Sequence, residues 1–345
     1  MLGGGVFVTQ NKVLPGAYIN VVSASKTSAT LGERGTVAIA LALGKAVGTV
    51  IEITRAEFVK DSENILGHKY DSAELKPLRE IFANATKCYI YDMGEDAEVS
   101  DVIAAFEPYN FTILCAYTGE VADIAQYITS VKSWRDDMGK KCQVVVYNHT
   151  KPDHEGVINV VSTVSDEGAD AHALVAWVAG AEAGCAINAS CTNMLYNGEY
   201  TVVADKTQSQ LEQCLKDGQF VFHNVYGEVR VLEDINSMVS TTVDKGEDFK
   251  SNQTIRVIDQ IANDIAKLFN TKYLGKIPND KSGRVSLWAD IVAHHRQLEE
   301  VRAIENFDSA LVTVEQGATK KSVVVTDTIT VTNAMAQLYM TVIVQ

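Results

Sequence analysis

Three short apolar runs of strand type, "KCYIYDM" from Lys87, "FTILCAYT" from Phe111 and "KCQVVVYN" from Lys141, alternate with two helix-like stretches, "EVSDVIAAF" and "EVADIAQYITSVKSWRDDM". This alternation constrains the fold more than any other feature of the chain. Cys88, Cys115 and Cys142 fall at equal intervals along it, each interval about one strand-plus-helix unit, since a βαβ unit takes roughly 30 residues. Strands joined through helices form a parallel sheet with right-handed crossovers. Earlier in the chain, "TVAIALAL" (Thr36–Leu43) is a continuous apolar run of buried-strand type, and "TVIEIT" (Thr49–Thr54) alternates as a second strand. Leu75, Leu78, Ile81 and Phe82 recur at helical spacing and predict a helix over Ser72–Asn84. Another helix, "DAHALVAWVAGAEAGC", starts near Asp170, and its small residues imply close packing on the sheet.

The last third changes character. In "NQTIRVIDQIANDIAKLFN", Ile255, Ile258, Ile261, Ile265, Leu268 and Phe269 share one broad apolar face. A second helix, "SGRVSLWADIVAHHRQLEEVRAIENF", carries Leu287, Ile291, Leu298 and Val301. Strand-type segments follow: "ALVTV", "SVVVTDTITV" and "LYMTVIV". The fold class expected is therefore α/β, with a parallel-type βαβ central domain and an α+β C-terminal domain.

Both termini read as strands without a local hairpin partner. After the Pro15-Gly16 turn, Tyr18, Ile19, Val21 and Val22 are β-formers around Asn20, and the small polar stretch "SASKTSAT" follows as a tether. At the other end, Tyr339, Met340, Thr341, Val342, Ile343 and Val344 form the matching segment.

Little in the chain points to chemistry. The formal charge of −14 argues against a nucleic-acid surface, which needs a basic patch. There is no apolar run long enough to span a membrane, and "MLGGGVFVTQ" lacks the basic-then-apolar pattern of a secretory signal. On that basis the six cysteines, Cys88, Cys115, Cys142, Cys185, Cys191 and Cys214, are expected to be free thiols in a cytoplasmic product. Gly44-Lys45 does not make a phosphate loop: Ile39 stands where the first Gly is needed, and Ala46 where Ser or Thr is needed. His149, Asp153, His154 and Glu155 cluster in "NHTKPDHEG" after a parallel strand, a place where sites are often held. Their spacing fits no zinc pattern. His294 and His295 are helix neighbours, about 100° apart around the axis, and cannot share a metal as an i, i+4 pair would. Asp92 ends a strand, but no Ser/His partner motif accompanies it. An α/β hydrolase using the His149–Glu155 loop is the enzyme alternative; no catalytic, cofactor or metal residue is assigned.

Six segments in order carry a resemblance: "LPGAYINVVS", "RGTVAIALAL", "LVAWVAGAEAGCAINASCTN", "VRVLEDINSMVSTT", "RVIDQIANDI" with "YLGKIPNDKSGR", and "LYMTVIV". Together they resemble the tail sheath proteins of contractile phages, above all those of Gram-positive prophages and phage-tail-like bacteriocins of the R-type pyocin and diffocin class. The resemblance implies a structural subunit without cofactor. Such a subunit polymerises with itself, in stacked hexameric rings, around an inner tail tube, and meets baseplate and tail terminator proteins. It assembles in the host cytoplasm and contracts from a metastable extended state to drive the tube through a bacterial envelope. It also implies an N-terminal arm over 1–28, a β-rich segment over 29–86, a central domain of subtilisin-like fold over 87–235, a C-terminal domain over 236–332 and an arm strand over 333–345. The arms, Tyr18–Val22 and Tyr339–Val344, would be exchanged between subunits. One departure is visible: "YIYDMGEDAEVSDV" runs straight into a helix, where many sheath proteins carry a β-sandwich insertion.

Overall fold

The computed structural model describes residues 31–94 and 96–344. The strand expected at Tyr18, Ile19, Asn20, Val21 and Val22 lies outside the described residues. The chain runs through β1 (Thr36–Leu41), β2 (Val50–Thr54), α1 (Arg55–Leu66), α2 (Lys76–Phe82), β3 (Lys87–Asp92), α3 (Val99–Phe106), β4 (Ile113–Cys115), α4 (Val121–Asp136), β5 (Gln143–Tyr147), β6 (Val157–Val160) and α5 (Leu174–Gly184). It continues through α6 (Gln208–Lys216), β7 (Gln219–Phe220) and the hairpin of β8 (Phe222–Val225) and β9 (Glu228–Val231). The C-terminal part holds α7 (Asn252–Leu268), α8 (Lys281–Glu300), β10 (Ile304–Glu305), β11 (Thr313–Gln316), β12 (Val323–Thr326) and β13 (Thr330–Val331).

Seven strands form one sheet in the order β2-β3-β1-β4-β5-β6-β7. Neighbours run parallel except β2, which is antiparallel to β3. The expected βαβ alternation is therefore present, but β1 and β2 come from the segment before Lys87. β1 sits between β3 and β4, so the sheet is continuous across residues 86 and 87. Side chains alternate across the sheet as the pleat requires. Val37, Ile39, Ile90, Ile113 and Val145 face α1, α2 and α5 in one core layer. Ala38, Ala40, Leu114, Val144 and Val146 face α3 and α4 in the other. Cys88 and Cys115 lie in the first layer and Cys142 in the second, so the equal cysteine spacing marks the repeat without lining one face. All six thiols are free, five of them buried and Cys185 half-buried.

α5 is buried from Leu174 to Ala183, as expected for a helix that is apolar all round. Its small residues serve a contact not foreseen in the sequence: a Cβ on Gly180 would overlap the backbone of Ile81 in α2. The close approach is helix on helix as well as helix on sheet. α1 was not read from the sequence, although its start signal is there. Thr54 Oγ1 accepts from Glu57 N–H, and Glu57 Oε2 accepts from Thr54 N–H at 2.9 Å, the reciprocal capping pair of a T-x-x-E start.

Asp92 has a structural role. Its carboxylate accepts from four successive amides, those of Leu43 and Gly44 at 2.9 Å each, Lys45 at 2.8 Å and Ala46 at 2.6 Å. The turn at Gly44-Lys45 is thus an anion nest filled by the chain's own carboxylate. Burial raises the Asp92 pKa, but the four amides outweigh it and hold the group below the ordinary carboxylate range. Asp92→Asn turns an amide NH₂ toward these donors and is expected to cost about 2–3 kcal/mol at neutral pH. A depressed folded pKa contributes stability above the unfolded value, near 3.9, and loses it as pH falls through the folded pKa. The difference between wild type and variant, measured by urea unfolding, should therefore shrink in that acid window.

In the C-terminal part, Leu287, Ile291 and Leu298 of α8 are buried as expected, while Val301 lies past the helix end and is exposed. α7 departs from its reading. Ile255 is buried, but Ile258, Ile261, Ile265, Leu268 and Phe269 are only half-buried. Gln253, Arg256, Asp259, Gln260 and Asp264 on the same helix are buried. Partners elsewhere in the chain satisfy these polar groups and let that face turn inward.

Candidate assembly surface

Among the described residues, none beyond Val331 lies in a helix or strand, and every residue from Asn333 to Val344 is exposed. This is the segment read as the C-terminal strand. Tyr339, Met340, Thr341, Val342, Ile343 and Val344 have no strand partner in the described residues. Leu338, Tyr339, Met340, Val342, Ile343 and Val344 are each 71–90% exposed. So many large apolar side chains in one exposed run go beyond the scattered surface apolar residues of ordinary proteins. Their backbone groups are free to pair with another chain. The hydrogen bond made here is local, Tyr339 Oη to Gln337 Oε1 at 2.8 Å.

A second feature complements it. β11 and β12 form a separate antiparallel pair, with Val314 opposite Val325 and Glu315 opposite Val324. Val314 and Val323 lean on a small core of Tyr273, Leu287, Ile291 and Val312, and Trp288 Nε1 donates to Val312 O at 3.0 Å. Val324 and Val325 are exposed. A two-stranded sheet is marginal by itself, and both of its outer edges offer unpaired backbone groups.

The cluster named by the enzyme alternative is spent on internal ties. Asp153 accepts from Val239 N–H at 2.7 Å, Ser240 N–H at 3.0 Å and Ser240 Oγ at 2.6 Å. His154 is buried and its Nδ1 accepts from Gly156 N–H at 2.9 Å; burial lowers its pKa against the pull of Glu155 and Asp136. Glu155 is paired with Lys245 Nζ at 2.7 Å. His149 is held through its backbone, which donates to Asn159 Oδ1 at 2.9 Å and accepts from Asn159 Nδ2 at 2.8 Å. The loop thus fastens the end of β5 to the segment around residues 237–245, and no nucleophile–base pair is formed in it. Asp136, His154 and Glu155 come within 4.8 Å of one another, but Lys245 already supplies the positive charge there. Glu182, Cys191 and Asp234 also converge, around the guanidinium of Arg256, which lies 2.7 Å from Glu182 and 3.3 Å from Asp234.

His294 and His295 are fully buried. Their Nδ1 atoms are 3.3 Å apart, and each Nε2 faces a carboxylate, Asp264 at 2.9 Å and Asp327 at 2.6 Å. They connect helices and loops and do not converge on a shared point. The polar residues of α7 that seat the chain on either side of the body, Gln253, Gln260 and Asp264, were missed in the sequence, because the isoleucine pattern drew the reading to the opposite face.

Comparison with known families bears on this arrangement. Residues 95–237 match the phage tail sheath protein central domain, and residues 244–345 match the phage tail sheath C-terminal domain. The chain belongs to the phage tail sheath family. Among solved structures, the sheath chain is similar to the sheath tail protein of Desulfitobacterium hafniense, 26% identical with a TM-score of 0.75 over 87% of this chain and 93% of that one. It is also 28% identical over 227 residues to the tail sheath protein of Clostridium phage phiCD119, covering 65% of this chain and 62% of the relative. In fold alone it resembles the helical sheath of the anti-feeding prophage in its contracted state, with a TM-score of 0.72 at 15% identity over 96% of this chain and 99% of that one. The sheath chain spans about half the length of the two Bacillus subtilis relatives it matches, 42% and 48% of each.

Proposed function

We propose that this chain is the repeating subunit of a contractile tail sheath: it polymerises helically around an inner tail tube and contracts to drive that tube through a bacterial envelope. The observation that carries the reading is the pairing of an exposed apolar segment without a local partner, Tyr339–Val344, with an open two-stranded sheet, β11–β12, on a chain of this family. A strand added from a neighbour would bury the apolar segment and complete the sheet, which is β-augmentation. Repeated head to tail, such a contact is heterologous and propagates without closing, giving a helical array. Tyr18–Val22, tethered by a small polar link, is the second arm of the same mechanism. Baseplate, terminator and tube proteins are the partners such a subunit meets, and stacked hexameric rings are its arrangement. The chain is a structural protein: the residues of the hydrolase alternative are engaged in internal ties, and its family is one of tail structural proteins. Electron microscopy of the purified full-length chain tests the proposal. Long hollow tubes are expected; a population of small discrete particles under all assembly conditions would contradict it.

A further inference from the structure

Residues 31–34, where the described chain begins, and residues 329–334, ahead of the exposed C-terminal segment, form two roots, and both are seated on the same helix. At the first root, Gly32 N–H donates to both oxygens of Asp264, at 3.1 and 3.0 Å, and Gln260 Nε2 donates to Gly32 O at 3.3 Å. A side chain on Gly32 would overlap the Asp264 carboxylate, so the seat fits closely. At the second root, Gln253 Nε2 donates to Thr332 O at 3.1 Å, and Gln253 Oε1 accepts from Ala334 N–H at 2.9 Å. One amide side chain thereby grips the backbone on both sides of Asn333, as a neighbouring strand would. Gln253, Gln260 and Asp264 all stand on α7.

The seats are also joined to each other. Asp264, His294, His295 and Asp327 form an unbroken chain of contacts at 2.9, 3.3 and 2.6 Å, and Asp327 lies just ahead of the second root. Alongside this chain, Leu31 from one root and Ile329 and Val331 from the other pack on one small cluster built on Val257, Leu298 and Ile304. Closely packed groups with few alternative arrangements transmit a displacement and do not absorb it.

We propose that the two roots are one mechanical unit, so that displacement of either is transmitted to the other within a single subunit. The inference rests on the terminal segments being the inter-subunit arms. Given that, a pull arriving through one arm alters the footing of the arm that carries it onward. The subunit is then a coupler in series, which lets a change of lattice travel from ring to ring.

Along the helix Gln253 lies about 10 Å from Gln260 and about 16 Å from Asp264, at or beyond the limit of the roughly 7–10 Å within which side chains normally influence one another. Cross-talk between the seats therefore tests the coupling directly, as any such claim requires. Amide hydrogen exchange is measured on the full-length chain below its assembly concentration, comparing Gln260→Ala, which loosens the first seat, with Gln253→Ala, which loosens the second. The reporters are Gly32 N–H at one root and Thr332 N–H, bonded to Ala303 O at 3.0 Å, with Ala334 N–H at the other. Gln260→Ala is expected to speed exchange about tenfold at Thr332 and Ala334, and Gln253→Ala to do the same at Gly32, with β5 amides unchanged. Acceleration confined to the mutated root in both variants would overturn the inference. A variant that also loosens β5 is replaced by Gln260→Asn at the first seat or, at the second, by Thr254→Val, which removes the bond from Thr254 Oγ1 to Asn333 Oδ1 at 3.3 Å, and the same comparison decides. Coupled roots in a chain whose arm-trimmed form still builds tubes would keep this inference and remove the arm reading.

Discussion

Deletion of residues 335–345 should leave a folded subunit that no longer forms tubes. The body loses almost nothing, because residues 335–344 are exposed and contribute no buried side chain. If the arm is exchanged, the lattice loses several inter-chain hydrogen bonds, each worth ~1 kcal/mol net, together with the burial of the apolar side chains on one face of the strand, such as Val342 and Val344, each worth about 1.5–3 kcal/mol when fully buried. Every subunit loses them at once, so assembly fails as a whole. Removing residues 1–28 should have the same effect. Val342→Pro is the finer form of the experiment: it removes one backbone donor and is incompatible with a central strand, while leaving the free subunit unchanged. Circular dichroism reports folding and electron microscopy reports tubes. Normal tubes from the trimmed protein would exclude arm exchange. Unfolded monomers would place these strands in the subunit's own core.

The second large effect is expected inside the body. Arg256 is buried between Glu182 and Asp234, themselves buried. One cation faces two carboxylates, and the pair titrates apart. Burial and the neighbouring Asp234 push Glu182 well above the ordinary range, while Asp234, raised by burial, is carried below it by Arg256 and its hydrogen bonds. These opposite shifts favour Glu182 over Asp234 as the seat of any proton bound in the cluster. Arg256→Leu leaves a buried carboxylate without its counter-charge and should cost about 3–5 kcal/mol in denaturant unfolding. Glu182→Gln keeps the hydrogen-bonding shape of the protonated acid and should cost less than about 1 kcal/mol. Equal losses from the two variants would show that Glu182 is charged in the folded protein.

The α/β core was legible because its signals are local and periodic. Apolar runs of strand length between helix-like stretches gave β3, β4, β5, α3 and α4, and Thr36–Leu43 gave β1. What the sequence could not give was where β1 goes: its place between β3 and β4 is a pairing across long separations, invisible to periodicity. β6, β7 and the β8–β9 hairpin were missed because they are short, four residues or fewer. α7 was found as a helix and misread as to its inward face. A polar face turns inward only when its partners are supplied, and Arg135, which holds Asp259 at 2.6 Å, lies far away in sequence. Likewise Asp92 could be seen to end a strand, but not to fill a turn nearly fifty residues earlier. At the C-terminus, Tyr339–Val344 was read as a strand without a local partner; among the described residues it is exposed and lies in no strand, and its pairing with another chain is the proposal made above. Val323–Thr326 was read as strand material, but its pairing with β11 in a sheet separate from the seven-stranded one could not be read from periodicity.

The most direct measurement is a map of the assembled tube at residue resolution, read at one place, the surroundings of Tyr339–Val344. These residues should lie as a strand hydrogen-bonded to an open edge of β11–β12 in a neighbouring subunit, with Val342 and Val344 no longer exposed. A tube in which the segment folds back on its own body, or stays exposed while subunits meet through other surfaces, would contradict it.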